Sequence, residues 1–171
     1  MQFPLEACFG IRLILNMAKE LEKQWEELSK KHHLPAFKEL DLDFEASAIE
    51  DTNFPLMAVI SKMAEKIDFY IGILSDLLQP DLANIYSMHE TRAFNEHEKK
   101  DIYDLYTKLM PYSRRCLELS LMNNPKEEIE FIIAFQKEWQ NIKKELINFL
   151  SKMKESWYTE SDIKEDLGYL G

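Results

Sequence analysis

At 171 residues the chain has the length of one ordinary domain, enough to bury roughly 70% of its unfolded surface without disulfide or metal staples. Its formal charge of −10, from 31 acids against 21 bases, argues against a general affinity for nucleic-acid backbone, because a phosphate-binding surface must gather Lys and Arg. Two cysteines, Cys8 and Cys116, cannot build a disulfide framework or a metal cluster and read as free buried thiols, while only four glycines and few β-branched runs favour helix.

The first predicted helix runs from about residue 4 to 33, because Ala7, Ile11, Ile14, Ala18, Leu21, Trp25 and Leu28 recur at alternating intervals of four and three. Phe9, Leu13, Leu15 and Met17 widen the apolar stripe of its first half nearly around the helix, whereas Glu20, Glu22, Lys23, Glu26 and Glu27 make its second half one-sided. An apolar half-helix of this girth has to be covered, either inside the monomer or by another subunit. Met1 to Glu6 lacks the basic start of a secretory signal and carries Glu6 where such a signal would be uncharged, so the cytoplasm is the expected compartment. No segment approaches the ~18 uninterrupted apolar residues of a membrane span.

Leu34-Pro35 closes the first helix, and the acids Glu39, Asp41, Asp43, Glu45, Glu50 and Asp51 mark residues 34–53 as an acidic crossover. Phe37, Leu40, Leu42 and Phe44 are expected to fasten it to the bundle, since a bare loop of that length is unusual in a compact domain. A second long helix is predicted over about 54–79, from Pro55 to the stop at Pro80, with Ile60, Met63, Ile67, Tyr70, Leu74 and Leu77 as its seam. A short helix over about 81–94 carries the least periodic stretch of the interior, Met88-His89-Glu90-Thr91-Arg92.

Asn95 with Glu98 three residues on forms a start signal for a third long helix over about 96–123, whose seam is Ile102, Leu105, Leu109, Tyr112, Cys116 and Leu119. Pro111 falls inside it and predicts a kink near residues 107–111. Asn124-Pro125-Lys126-Glu127 then ends one helix and starts another, predicting a tight reversal into a fourth long helix over about 125–157 with Ile132, Phe135, Trp139, Ile142, Leu146, Phe149 and Met153 on its inner side. Residues 158–171 form an acidic tail. The sum is a single all-α domain, an antiparallel four-helix bundle of up-down-up-down order with a short extra helix and an acidic crossover.

Chemistry is harder to find. No Glu-x-x-His pair of the kind that holds a di-iron centre is present, and no phosphate-cradling glycine loop or nucleophile turn occurs. Glu65-x-x-Asp68 and Glu98-x-x-Asp101-x-x-Asp104 have the spacing of magnesium-holding acids, but relative to their seams most of them face solvent. No cofactor or metal is therefore expected.

Arg92 and His97 stand five positions apart at the entrance to a long helix, a spacing that resembles the Arg-x4-His motif of the HEPN ribonucleases. The resemblance implies a helical bundle, often paired across a dimer, in which Arg92 would hold the scissile phosphate and His97 would move a proton. It spans six residues; Ala93 departs from the polar residue common after the arginine, and Glu90, Glu96 and Glu98 would repel RNA. Arg114 and Arg115, beside Tyr112 and Lys108, make the one compact basic patch, suited to an acidic partner or to acids on a neighbouring helix. The leading expectation is a non-enzymatic bundle protein that works through protein contacts, as a homo-oligomer or with a protein partner, using Phe9, Leu13, Met17, Arg114 and Arg115. The alternative is a metal-independent ribonuclease using Arg92 and His97.

Overall fold

The computed structural model describes residues 5–49 and 53–158, with backbone alone over 5–18. All regular structure among them is helical: α1 (Leu5–His32), α2 (Phe37–Phe44), a 3-10 turn (Ala46–Ala48), α3 (Pro55–Leu78), α4 (Ile85–Arg92), α5 (Glu96–Met122) and α6 (Pro125–Ser156). The chain divides into two compact units, one holding the described residues up to 67 with 112–137, the other 68–111 with the described residues from 138. Helices α3, α5 and α6 contribute a segment to each.

In the first unit α1 ends where His33 takes a left-handed backbone, φ 57°. Two side chains then fasten the exit. The Ser29 hydroxyl donates to the Leu34 carbonyl at 2.8 Å and the Trp25 indole donates to the Pro35 carbonyl at 2.9 Å. Trp25 and Leu21 are fully buried, so the one-sided second half of α1 is a core face. The acidic crossover is not an open loop: residues 37–44 form α2, and its Phe37, Leu40 and Phe44 are buried as expected. Leu42 is the exception at 84% exposure, because on a helix it falls on the opposite side from Leu40 and Phe44.

Phe44 meets Phe135 of α6 at 5.9 Å, Phe131 stacks on Phe135 at 5.7 Å, and Tyr112 of α5 meets Phe135 at 5.0 Å, giving this unit an aromatic core. The reversal between α5 and α6 follows the sequence expectation. Asn123 adopts a left-handed φ of 50°, Asn124 Oδ1 accepts from the Lys126 N–H at 3.2 Å, and its amide donates to Glu127 at 2.8 Å. Ring contact of Tyr112 with Phe131 and the ion pair of Arg115 with Glu127 run the two helices antiparallel here.

In the second unit α5 starts at the expected capping box: Asn95 Oδ1 accepts from the N–H groups of His97 and Glu98, each at 3.0 Å, while Glu98 accepts from the Asn95 N–H at 2.9 Å. Helix α5 continues unbroken through Pro111, at the edge of this unit. Lys108 pairs with Glu138 at 2.6 Å and Glu145 at 3.4 Å, Lys152 pairs with Glu98 and lies over the Phe94 ring, and Phe94 meets Phe149. Falling numbers on α5 meet rising numbers on α6, so they are antiparallel here too. Ile102, Leu105, Leu109, Leu74, Trp139, Ile142 and Leu146 are buried, as the seams required.

Among the described residues no helix is long and apolar enough to cross a membrane. The tail beyond 158 and the side chains of Cys8, Phe9, Leu13 and Met17 lie outside the described residues; Cys116 is buried.

Candidate functional site

The short helix α4 builds the most distinctive polar surface of the second unit. Asn84 caps it, its Oδ1 accepting from the Tyr86 N–H at 3.0 Å and the Ser87 N–H at 3.4 Å, and Asp81 braces the preceding turn through the Ala83 N–H at 2.9 Å. Eight residues are too few for a stable isolated helix, so α4 depends on these caps and on what it packs against.

Ser87 and Thr91, one turn apart, share a face. Both hydroxyl oxygens are buried and make no hydrogen bond within the protein, an arrangement that costs about 1–3 kcal/mol per group when nothing else supplies a partner. Ser87 is one of the residues around a crevice of about 160 Å³, lined also by Ile73, Asp76 and Leu77 of α3, Asn84, Tyr86 and Glu90 around α4, and Met153 of α6. Leu77 is buried at its floor, while Asp76, Asn84 and Tyr86 stand at an exposed rim.

The neighbouring residues after α6 fix that rim. Trp157 donates its indole N–H to Glu90 Oε1 at 2.9 Å and lies 5.7 Å from the Tyr86 ring and 4.3 Å from the His89 ring, and the His89 imidazole Nε2 is 3.1 Å from the Ser156 carbonyl. Glu90 Oε2 takes no part in that indole bond.

The residues singled out in the sequence are not gathered there. Arg92 ends α4 and His97 lies in the first turn of α5, both exposed and separated by the turn of residues 93–95; neither lines the crevice. Arg115 is engaged within the protein by Glu118 and Glu127, which hold its guanidinium more firmly protonated. Arg114 is exposed. The acids with metal spacing face outward, with Glu65 paired to Lys62 at 2.8 Å and Glu98 committed to Lys152. Among the described residues, no group of three or more His, Cys, Asp or Glu is placed to hold a metal ion.

The first unit buries a different polar pair: Gln136 donates from Nε2 to Asp43 at 3.4 Å, leaving its buried Oε1 without a partner. Glu128, in the first turn of α6, is also buried, and burial pushes its carboxyl above the usual carboxylate range.

Sequence reading passed over Ser87 and Asp76 and took Glu90 only as an acid that would repel RNA. The available signal was the loss of periodicity over residues 88–92, where polar residues occupy several faces of a short helix that begins at a capping Asn84. No family model matches the chain, and the searches of curated proteins and of solved structures found no match to it either.

Proposed function

We propose that this is a helical-bundle protein that works through protein contacts, with a second copy of itself as the partner. The observation that carries the reading is the C-terminal end of α5, where Leu117 is 55%, Leu121 86% and Met122 43% exposed. Leu117 and Leu121 are four residues apart and share one helix face with Arg114. A two-fold axis beside residue 119 would set Leu117 of one copy against Leu121 of the other and bring Arg114 to the carbonyl end of the partner's α5, where the helix dipole favours a cation. The apolar girth of residues 7–17 in the sequence, centred on Phe9, Leu13 and Met17, supplies further surface that needs covering.

The same proposal takes the four long helices, α1, α3, α5 and α6, as an up-down-up-down antiparallel bundle in the cytoplasm. The antiparallel α5–α6 pairing seen within each unit and the tight reversal at Asn123-Asn124 support that order.

Light scattering tests the self-contact. The parent protein is expected to exceed the mass of its 20.3 kDa chain and the double variant Leu117→Glu/Leu121→Glu to fall toward it, with unchanged circular dichroism. A monomeric parent at every concentration overturns the reading.

A further inference from the structure

We infer that the crevice beside α4 is a binding site for an alkylammonium group. Its floor and walls are apolar at Ile73, Leu77 and Met153, so an aliphatic chain can leave water there. Its rim carries the carboxylates of Asp76 and Glu90, and Glu90 is held in place through Oε1 by the Trp157 indole while Oε2 remains outside that bond. Tyr86 adds an aromatic ring at the same rim, braced by Trp157, and an ammonium close to such a ring gains a further attraction.

Ser87 also lines the crevice, with its hydroxyl buried behind the lining and making no hydrogen bond within the protein. A volume of about 160 Å³ holds a ligand of a few carbon atoms and is too small for a nucleotide or another drug-sized molecule.

The other charge classes fit less well. An anion would meet Asp76 and Glu90 and no cation in the lining, and a hard divalent metal would find two carboxylates over an apolar floor in place of the six or more oxygens it prefers. The chain's net charge of −10 also draws cations toward the protein. A primary alkylamine places three N–H donors at the acids and its chain on Leu77 and Met153. The same head group is offered by a free small amine and by a lysine side chain.

Amide and indole NMR of the full-length protein provides the test, with butylammonium as the probe and butanol and butyrate as neutral and anionic controls. Saturable shifts at the Trp157 indole N–H, Ser87 and Leu77 with butylammonium alone are expected, weakened about tenfold or more in Glu90→Gln and in Asp76→Asn through loss of a charge-assisted hydrogen bond. Ser87→Leu, which fills the crevice, should abolish the shifts while leaving the remaining spectrum dispersed and in place.

Comparison of 1,4-diaminobutane with an acetylated, amidated lysine then separates the sources. Tighter binding of the diamine assigns a free amine and tighter binding of the lysine derivative assigns a protein side chain. Equal binding of butanol and butylammonium, insensitivity to both carboxylate variants in folded protein, or no saturable shift would overturn the site.

Discussion

Two tryptophans give their indole N–H to an oxygen 2.9 Å away, yet they serve different kinds of structure. Trp25 is fully buried and donates to the Pro35 carbonyl, joining the exit of α1 to the crossover that carries α2. Trp157 is 39% exposed and donates to the Glu90 carboxylate on the rim of a crevice. Beside Trp25 the Ser29 hydroxyl also finds its partner within the chain, at the Leu34 carbonyl. Around Trp157 two hydroxyls of α4 are buried with no partner in the protein. The exit of α1 uses this chemistry to hold its fold, whereas α4 keeps two hydroxyls that folding leaves unpaired; the first unit has one such buried atom of its own, Gln136 Oε1.

The sharpest way to break the contrast is to truncate both indoles. Trp25→Ala should cost about 3–5 kcal/mol in urea unfolding, from lost burial and the cavity left behind. Trp157→Ala should cost less than about 1 kcal/mol, as at an exposed position. Comparable losses would show that the Trp157 cluster is structural as well.

Next in size is the capping of α5, where Asn95→Ala should cost about 1 kcal/mol because two N–H groups lose their acceptor. Smaller still, Ser87→Ala and Thr91→Val should be neutral or stabilise by up to about 1 kcal/mol, since each removes a buried hydroxyl that folding leaves unpaired. A clear destabilisation by both variants would mean that those hydroxyls are satisfied in solution and would remove the contrast between α4 and the exit of α1.

The finest test is pH. Burial raises the Glu128 carboxyl, so its favourable contribution is complete below the unfolded carboxylate range and is lost as pH rises through the higher folded value. Glu98 is lowered, first by its hydrogen bond with Lys152 and then by the Asn95 N–H, so its contribution is present above the unfolded range and is lost as pH falls through the lower folded value. Denaturant titrations through the acid range should show Glu128→Gln and Glu98→Gln changing the slope of stability against pH in opposite directions.

Much of the helical framework was legible because its signals are local. The seams of α3, α5 and α6 follow the helical repeat, and Asn95-Glu98 and Asn124-Pro125-Glu127 mark helix starts by side-chain chemistry that needs no tertiary context. Helix α2 was readable only as an ordered crossover, since eight residues give too few repeats to separate a helix from an apolar loop, and Leu42 was misplaced on the buried side for that reason.

The crevice was not legible. Asp76, Ser87 and Met153 come from three helices, and whether a serine hydroxyl finds a partner is decided by packing, not by its neighbours in sequence. Arg92 and His97 had the opposite history: a suggestive interval in sequence became two exposed side chains on separate helices. For the ribonuclease alternative, varied RNAs should be cleaved no differently by the parent and His97→Ala; a loss of cleavage confined to that variant would favour it over the protein-contact reading.

Contact between copies is measured most directly by isotope-filtered NOEs on an equimolar mixture of labelled and unlabelled protein. Cross-peaks between copies at the methyl groups of Leu117 and Leu121, lost in Leu117→Glu/Leu121→Glu, are the expected result. Absence of any such cross-peak, together with tumbling at the rate of a single 20.3 kDa chain, would contradict the proposed self-contact.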